Sequence, residues 1–412
     1  MRLANVTMNR VLNIGAGHAG GSVAALLRQY GFEGNIVLAG QETVPPYQRP
    51  PLSKAWLKGE ADLDALLLRP ESFYDEQNIE LRTGVTATAI DPLAKTVAFA
   101  DGMVEAYDIL ILAMGSVARK LDIPGADRPK LIELRTLHDA ERLKAALGPG
   151  KRLAIVGGGY VGLEAAASAR KLGAQVVVIE RMDRVLQRVA SETLSVFFTE
   201  HHRSHGVQIR KDAEVAAFED GGVRLADGEL ILADAILVGV GALACDALAR
   251  TASLTCENGV VVDEAARTSD ASIYAIGDMT HRPIPTMGGR VMRLESVPNA
   301  LEQAKQAAAS IVDRPAPAPE VPWFWSDQYD IKLQIAGLPF GADRQIIRGD
   351  PAENRFAVFH LAGSETGDRI VCVEAVNAPP EFMAGRLLIG RATPIDTVKL
   401  ADPAVSMKDV AA

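Results

Sequence analysis

The sequence predicts an α/β protein with two similar doubly wound domains and a smaller α+β domain at the C-terminal end. Three features indicate this fold class. A glycine-rich strand–helix–strand pattern occurs near residues 10–39 and again near residues 153–179, and a similar run of short strands follows each copy. An internal repeat of this size predicts two related domains. The proline-dense stretch 313–322 ends the repeated part, and alternating strands beyond it indicate the third domain.

The first glycine-rich segment has the order expected of a nucleotide-binding fold. Arg10–Ile14 is a short apolar strand, Gly15, Gly17 and Gly20 follow as G-x-G-x-x-G, and a helix leads to the strand Ile36–Ala39. One such glycine makes the tight turn, one lets the backbone approach a pyrophosphate, and one lets the helix pack on the strand. The helix N-terminus adds free N–H groups and the positive end of the helix dipole. The segment therefore predicts a dinucleotide site.

The second glycine-rich segment repeats this order. Leu153–Val156 is the strand, Gly157, Gly159 and Gly162 form the second G-x-G-x-x-G, and Val176–Ile179 is the next strand. A lone G-x-G-x-x-G is weak evidence, but a strand before it, a helix after it and a second strand are the confirming context. We therefore expect a Rossmann-like dinucleotide-binding domain around each copy.

The strands that end the two segments differ in their last residues. The second one leads to Glu180, and a carboxylate there accepts hydrogen bonds from an adenosine ribose 2′-OH and repels a 2′-phosphate. This favours NAD over NADP, although the neighbouring Arg181 weakens the preference because an arginine can meet a phosphate. The first segment ends in the looser match Gly40-Gln41-Glu42. Two dinucleotides, one in each domain, suit FAD and NAD.

Each Rossmann-like segment is followed by the same further pattern of predicted strands and turns. Short alternating strands, a D-G turn, an acidic residue and an apolar strand closing on glycine occur at 79–115 and again at 207–241. The later apolar run Ile273–Ile276 meets Gly277 and Asp278, and it indicates a strand that returns to the first domain. An aspartate at such a strand end can bind sugar or ribityl hydroxyls, but a surface turn uses the same residues.

The insertion implied by this returning strand fixes the expected domain limits. We expect a first, FAD-binding domain from residues 1–115 and 245–320, an inserted NAD-binding domain from 116–244, and a C-terminal α+β domain from 321–412.

Composition and charge exclude several classes of function. The chain has 412 residues, of which 48% are hydrophobic, and a net charge of −9, so general nucleic-acid binding is not expected. No apolar run approaches the roughly 18 residues of a membrane helix, so we expect no membrane association. The chain enters a strand and a glycine loop almost at once, which argues against a secretory signal. Three widely spaced cysteines form neither a disulfide framework nor a zinc site and fit a reducing cytoplasm.

A cluster of histidines raises the question of a metal. His201 and His205 share a helix face, and His202 lies between them. A zincin motif would need glutamate at position 202, and no carboxylate is clearly placed in the sequence to complete a site. We therefore expect a solvated helix end and no metal.

Longer stretches of the sequence resemble a known family. The strings PPYQRPPLSKAWLKG (45–59), RLESVPNALEQAK (293–305) and WFWSDQYDIKLQIAGL (323–338) are similar to FAD- and NADH-dependent ferredoxin reductases that serve bacterial cytochrome P450 and aromatic-ring dioxygenase systems. The resemblance runs from about Val11 to the end of the chain. It implies a glutathione-reductase-like FAD domain, an inserted NAD domain and a C-terminal domain. Asn13 and Met114 depart from the family pattern, but the phosphate sites are intact.

The resemblance also implies which residues form the sites. Lys54 is implied near flavin N5, Glu164 approaches it from the NAD domain, and Trp325 lies close to the isoalloxazine, which makes these three the candidate catalytic residues. The residues implied to touch FAD are Gly15, Gly17, Ala19, Gly20, Gln41, Arg49, Lys54, Ala87, Arg135, Asp278, Val297 and Trp325. Those implied to touch NAD are Gly157, Gly159, Tyr160, Val161, Glu180, Arg181, Arg188, Gly241 and Glu295.

The electron acceptor is indicated by an absence from the sequence. Disulfide reductases on this scaffold need a cysteine pair beside the flavin, and the segment Glu42–Gly59 contains no cysteine. The flavin must therefore pass electrons to something outside the chain, and the resemblance implies a [2Fe–2S] ferredoxin as partner. Two alternatives stay open: a reductase of another acceptor, such as rubredoxin, a quinone or monodehydroascorbate, and an NADH-sensing flavoprotein.

Overall fold

The computed structural model describes residues 9–364 and 367–412, so residues 1–8 of the first predicted domain lie outside the described part. The described chain forms two compact units. The first compact unit contains residues up to 48, 63–117 and 243–320. The second compact unit contains residues 49–62, 118–242 and 321–412.

The elements of the N-terminal half follow in chain order. Up to residue 118 they are β1 (Arg10–Ile14), α1 (His18–Gln29), β2 (Asn35–Ala39), α2 (Ala55–Lys58), α3 (Leu63–Leu66), α4 (Glu71–Glu76), β3 (Ile79–Arg82), β4 (Ala87–Asp91), β5 (Thr96–Phe99), β6 (Val104–Ala106), β7 (Ile109–Leu112) and β8 (Ser116–Ala118). Up to residue 244 they are β9 (Leu131–Ile132), α5 (Leu137–Ala146), β10 (Arg152–Val156), α6 (Tyr160–Lys171), β11 (Gln175–Ile179), α7 (Glu192–Ser204), β12 (Val207–Arg210), β13 (Val215–Glu219), β14 (Gly222–Leu225), β15 (Leu230–Leu232), β16 (Ala235–Val238) and β17 (Ala242–Ala244).

The C-terminal half continues the series. Up to residue 320 the elements are α8 (Ala247–Thr251), β18 (Cys256–Glu257), β19 (Gly259–Val261), β20 (Ile273–Ala275), β21 (Thr280–Ile284), β22 (Arg290–Met292) and α9 (Val297–Ile311). Beyond it they are β23 (Trp323–Gln328), β24 (Ile331–Gly337), β25 (Arg344–Asp350), β26 (Arg355–Ala362), β27 (Arg369–Val376), α10 (Pro379–Gly390) and α11 (Thr397–Ala401).

A parallel sheet in the order β20-β7-β1-β2-β3 forms the centre of the first compact unit. Its central strands are almost continuously apolar because both faces of the sheet are buried, and helices α1 and α9 pack together on one face. The strand predicted to return at Ile273–Ile276 is β20, and it pairs with β7 as expected. Helix α9 begins at Val297, because Ser296 caps it and Pro298 suits only its first turn.

The second compact unit repeats this architecture in its sheet β12-β11-β10-β16-β9. Each repeat also carries a three-stranded antiparallel sheet, β4-β5-β6 in the first unit and β13-β14-β15 in the second. The outermost strand differs in origin: β20 comes late in the chain, whereas β9 precedes its own Rossmann segment. The predicted fold class, with two Rossmann-like sheets, is confirmed.

The C-terminal segment adds a five-stranded antiparallel sheet in the order β23-β24-β27-β26-β25, and α10 packs on strand β27. Its inward residues, such as Leu333, Phe356 and Val376, belong to the same buried cluster as Leu153 and Leu163 of the Rossmann part. Within the described residues, none of the helices is long and apolar enough to cross a membrane.

Candidate functional site

The three glycines of the first glycine loop differ in how much space a side chain would have. Gly15 has φ of +116°, and a Cβ there would lie 2.3 Å from the carbonyl oxygen of Ala113. A Cβ on Gly20 would lie 1.8 Å from the carbonyl oxygen of Gly15, because α1 packs directly on the loop. A Cβ on Gly17 would meet no described atom within 4 Å. The loop therefore leaves open space at Gly17, where α1 begins without a capping side chain from the described residues.

The polar residue in strand β1 supports this loop. Asn13 is fully buried, and its side-chain Nδ2 donates a 2.9 Å hydrogen bond to the carbonyl oxygen of Gly20. The amide thus ties the strand to the first turn of α1 from inside the core. This explains how an amide is tolerated in a strand that is otherwise apolar.

The residues after β2 lie against the same loop. A Cβ on Gly40 would lie 2.4 Å from the Cβ of Ala16, so the backbone at Gly40 packs directly against the glycine loop. The N–H of Val85 donates to the carbonyl oxygen of Gly40 at 2.9 Å. Gln41 and Ala87, two of the residues implied for FAD, therefore follow segments that border the glycine loop.

Asp278 lies at the end of β20, beside the first turn of α1. Gly277 has φ of +81°, and a Cβ there would lie 3.2 Å from the Cβ of Ala19. The half-buried Asp278 carboxylate accepts a hydrogen bond from Ser116 at 3.2 Å. From α9, which begins at the implied FAD residue Val297, Gln303 accepts the Gly277 N–H at 2.8 Å and fixes this turn.

The second glycine loop has the same construction. A Cβ on Gly157 would lie 2.3 Å from the carbonyl oxygen of Gly239, and one on Gly162 would lie 2.6 Å from that of Gly157. A Cβ on Gly159 would meet no described atom within 4 Å, and no described side chain caps α6. Both loops therefore fit a pyrophosphate, because each offers an open glycine and the free N–H groups of a helix N-terminus.

Glu180 is held rigidly beside the second loop. Its carboxylate accepts the N–H of Gly158 at 2.7 Å and that of Met182 at 2.8 Å. Each carboxylate oxygen keeps further acceptor capacity, so the side chain is oriented while it remains able to bind a ribose hydroxyl. Arg181 is exposed.

Four further residues implied for NAD belong to the same compact unit as this loop. The Nη2 of Arg188 would lie 3.7 Å from a Cβ built on Gly241, so the two positions are neighbours. Tyr160, the first residue of α6, donates its hydroxyl to the carbonyl oxygen of Val189 at 3.1 Å. Burial raises the pKa of the Tyr160 phenol well above its usual value, so it stays a neutral donor. Val161 follows it and is 47% exposed.

A buried carboxylate organises the residues before α2. Glu164 of α6 is 5% exposed, and its Oε2 lies 2.8 Å from the Lys54 ammonium and 2.5 Å from the Ser53 hydroxyl. Its Oε1 accepts the Ser326 hydroxyl of β23 at 2.7 Å. Lys54 also donates to the carbonyl oxygen of Pro50 at 3.2 Å. The ammonium is thereby fixed between a carboxylate and a carbonyl, and both candidate catalytic residues Lys54 and Glu164 belong to one cluster.

The third candidate catalytic residue lies on the other face of β23. Successive strand residues point to opposite faces, so Trp325 points away from Ser326 and lies 5.7 Å from Trp323, ring centre to ring centre. Phe324 packs edge-to-face on Tyr160 at 4.8 Å. Trp325 is therefore outside the cluster around Glu164, although it is next to it in sequence.

Arg49, Arg135 and Glu295 complete the predicted set. Arg49 donates a hydrogen bond to the carbonyl oxygen of Arg135, which brings these two residues together within the second compact unit. Glu295, implied for NAD, belongs to the first compact unit, where it forms an ion pair with Arg293. Arg293 in turn donates to the carbonyl oxygen of Asp278 at 3.4 Å.

Sequence reasoning missed the serines of these sites. Ser53 and Ser326 hold Glu164, Ser168 donates to the carbonyl oxygen of Ser53 at 2.6 Å, and Ser116 holds Asp278. No local motif marks them, because each partner is far away in the chain and common serines carry no signal by themselves.

The histidine segment also differs from expectation. The prediction of a solvated helix end was wrong for His202, which is fully buried and bonds Gln328 at 2.8 Å. Strand β23 covers this face of α7, and nothing in the local sequence indicates that contact.

Comparison with known proteins agrees with this geometry. Residues 9–304 match the family described as pyridine nucleotide-disulphide oxidoreductase, and residues 323–411 match the reductase C-terminal family. The chain belongs to the pyridine nucleotide-disulphide oxidoreductases. It is an oxidoreductase with FAD and NAD(H) as cofactors, and the two open glycine loops fit two such dinucleotides.

Individual members of this family are similar over nearly the whole chain. The 5,5′-dehydrodivanillate O-demethylase ferredoxin reductase subunit of Sphingobium sp. is 44% identical and covers 97% of this chain and 98% of its own. The anthranilate 1,2-dioxygenase system ferredoxin–NAD(+) reductase component of Burkholderia cepacia is 39% identical, with coverage of 96% and 97%. The reductase in the crystal structure of the covalent putidaredoxin reductase–putidaredoxin complex superimposes with a TM-score of 0.94, at 39% identity and 97% coverage of both chains. The resemblance drawn from the sequence strings is confirmed.

This oxidoreductase has no reactive thiol pair in the segment before α2. Cys245, Cys256 and Cys372 are all free thiols. Burial raises the pKa of Cys256 and raises that of Cys372 well above its usual value, so both stay protonated and are poor nucleophiles at neutral pH.

Proposed function

We propose that this oxidoreductase passes electrons from NADH through FAD to a [2Fe–2S] ferredoxin, which supplies a cytochrome P450 or a ring-hydroxylating dioxygenase. One observation carries the choice of acceptor. The segment 42–59 contains no cysteine and instead places Ser53 and Lys54 on the buried Glu164. Electrons therefore leave without an internal disulfide. The names of the similar reductases, which belong to O-demethylase and dioxygenase systems, support the same acceptor class.

The chain's part in the reaction is binding and electrostatics. Bound FAD supplies the redox chemistry, since it accepts a hydride and releases electrons singly. The open faces at Gly17 and Gly159 receive the two pyrophosphates, with Asp278 placed to bind ribityl hydroxyls and Glu180 placed to bind the adenosine ribose of NADH. We assign the remaining residues of the implied FAD set to the FAD site. The NADH site further includes Tyr160, Val161, Arg181, Arg188, Gly241 and Glu295.

We propose that Lys54 provides a fixed positive charge beside the flavin ring, where negative charge develops when NADH reduces the flavin. Its ammonium is 2.8 Å from Glu164 and 3.2 Å from the carbonyl oxygen of Pro50, so it does not need to reorganise when charge arrives. A charge oriented in advance and sheltered from water stabilises a developing anion better than a mobile one. We assign Glu164 the positioning of Lys54, and Trp325 a contact with the flavin ring.

Replacing Glu180 by glutamine is expected to reduce the preference for NADH. The substitution removes the negative charge that repels a 2′-phosphate while it keeps an oxygen for one of the two N–H donors. We expect the NADH-to-NADPH ratio of kcat/KM to fall by about tenfold, which corresponds to about 1.4 kcal/mol. Steady-state kinetics with both nucleotides measures this ratio.

A matched control for this substitution is Glu229→Gln. Glu229 is an exposed glutamate of the same compact unit, paired with Arg210 at 2.7 Å. The control should leave the ratio unchanged. An unchanged ratio in Glu180→Gln as well would assign the discrimination to Arg181 or Arg188.

Electron transfer to the ferredoxin is expected to weaken at high salt. Ferredoxins are usually acidic and this chain carries −9, so productive docking needs locally opposite charge, which salt screens. The screening length falls from about 10 Å at 0.1 M salt to about 3 Å at 1 M. NADH-driven cytochrome c reduction should be slow for the enzyme alone, fast with a ferredoxin of the same organism, and slower at high salt.

Two results would contradict the proposed acceptor. Slow turnover with every iron–sulfur carrier offered, combined with a long-lived reduced enzyme, would favour the NADH-sensing alternative. Rapid reduction of rubredoxin, a quinone or monodehydroascorbate in place of ferredoxins would favour the other reductase alternative. Flavin content, measured on the same preparation, separates a wrong acceptor from an enzyme without cofactor.

We also propose domain limits and a location. The FAD-binding domain spans 1–115 and 245–320, the NAD-binding domain 116–244 and the C-terminal domain 321–412. The three free thiols favour a cytoplasmic location, because oxidising compartments convert exposed pairs into disulfides. Cell fractionation with detection of the flavoprotein tests the location, and limited proteolysis at the predicted boundaries tests the domains.

A further inference from the structure

Two histidines and an aspartate meet on the surface of the second compact unit. His201 and His205 lie four residues apart at the C-terminal end of α7, so they share one face of the helix. Asp330 lies in the two-residue turn between β23 and β24. One potential ligand atom from each of these three residues lies within 4.8 Å of the other two.

The fold supplies the carboxylate that the sequence around the histidines lacks. Asp330 Oδ1 lies 3.1 Å from His201 Nε2, although more than 120 residues separate them in the chain. Tyr329 has φ of +55° and turns the hairpin so that Asp330 faces the helix. The Tyr329 ring stacks on His205 at 3.8 Å and meets His201 edge-on at 5.5 Å. Both imidazoles are thereby held at the hairpin.

We propose that His201, His205 and Asp330 bind one Zn²⁺ ion, with water in the fourth position. Two imidazoles and one carboxylate are a ligand set that Zn²⁺ uses when an open position remains. The ion would join the last turn of α7 to the β23–β24 turn. It would have a structural role independent of the electron-transfer reaction.

The observed spacing suits this ion with small movements. Zn–N and Zn–O bonds of about 2.0–2.2 Å at tetrahedral angles place neighbouring donor atoms about 3.3–3.5 Å apart. The His201–Asp330 separation of 3.1 Å is already near this value. His205 and Asp330 are exposed, so their side chains can adjust by rotation without disturbing the core.

The surroundings orient the ligands. The Nδ1 of His205 lies 2.8 Å from the carbonyl oxygen of His201, and a carbonyl only accepts, so Nδ1 carries the proton and the lone pair stays on Nε2. The C-terminal end of α7 contributes negative dipole charge. Arg170, Lys171 and Glu200 line the same open cleft, so charges of both signs border the ligands, and Arg170 donates to the carbonyl oxygen of His205 at 2.9 Å.

His202 is not a ligand in this proposal. It is fully buried, and its Nε2 bonds the side chain of Gln328 at 2.8 Å. This bond attaches α7 to the end of β23, so the two elements that carry the ligands are already held together in the protein without metal. The site therefore needs little ordering of the chain when the ion arrives.

The test is Zn²⁺ binding by the FAD-loaded full chain, freed of any histidine tag and of metal by chelation. Isothermal titration should give one Zn²⁺ per chain, and thermal unfolding should shift to higher temperature with added Zn²⁺. His205→Ala and Asp330→Asn each remove or weaken one of three direct ligands, so each should weaken binding by more than the roughly 10–100-fold typical of losing an outer-shell partner, and should abolish the thermal shift. His138→Ala, which removes an exposed histidine outside the cluster, should bind as the unmodified chain does.

Three results would overturn the proposal. The first is that the chain does not bind one Zn²⁺ ion, and the second is that both His205→Ala and Asp330→Asn still bind it normally. The third is that His138→Ala weakens Zn²⁺ binding as much as they do. Flavin content and circular dichroism of each variant show that it is folded, which is expected because the substituted side chains are exposed. Electron transfer from NADH to ferredoxin should be the same with and without Zn²⁺, so this result stands apart from the proposed function.

Discussion

Gly17→Ala is expected to give a folded protein that has lost most of its FAD. Gly17 has φ of −90° and ψ of −161°, which alanine adopts without strain, and its Cβ would meet no described atom within 4 Å. The added methyl group instead occupies the space left for a pyrophosphate. We expect FAD affinity to fall by at least about tenfold, because about 1.4 kcal/mol, comparable to one hydrogen bond, suffices for that. Flavin absorbance per chain after purification and after reconstitution measures the loss.

Gly159→Ala is the matched control because it makes the same change in the second loop. Gly159 also has an extended backbone, with φ of −83° and ψ of 178°, and open space around its Cβ position. This variant should keep its FAD and show a raised KM for NADH. Full flavin content in Gly17→Ala, or flavin loss from Gly159→Ala alone, would reverse our assignment of the two loops.

Lys54→Met is expected to slow flavin reduction by NADH by about 10–100-fold while FAD stays bound. Methionine keeps the length of the side chain but removes the ammonium that Glu164 holds at 2.8 Å. The Glu164 carboxylate keeps the hydroxyls of Ser53 and Ser326 and so loses one of its three partners, and the carbonyl oxygen of Pro50 loses its bond from Lys54. Rapid mixing of the oxidised enzyme with NADH, followed at the flavin absorbance, measures the rate.

Lys58→Met provides the control for this rate. Lys58 is one helical turn further on in the same segment, and it pairs with Glu60 at 2.5 Å. Its loss should leave flavin reduction unchanged. If Lys54→Met reduces at the normal rate, Lys54 has only a structural role in the Glu164 cluster. A flavin midpoint potential that becomes more negative in Lys54→Met would support stabilisation of negative charge, which a purely structural role would not produce.

The sequence by itself determined the two Rossmann-like sheets, the inserted order of the chain and the positions of both glycine loops. These features follow from local rules: apolar strands, helix patterns and the positive φ of Gly15 and Gly157 are encoded within short segments. The sequence also predicts a preference for NAD, because Glu180 follows a strand at a fixed distance from its loop. The returning strand β20 was predicted from its apolar run and the Gly277-Asp278 pair that ends it.

Only the tertiary structure decided which polar side chains meet. Ser53 and Ser326 lie more than 100 residues from Glu164, as does Ser53 from Ser168 and Asp330 from His201. The packing of β23 on α6 and α7 made both groupings and buried His202 where a solvated helix end was expected. Periodicity reports which face of an element is buried, but it does not report which other element covers that face. Hydrogen-bond partners across such contacts are therefore fixed by the fold rather than by local sequence.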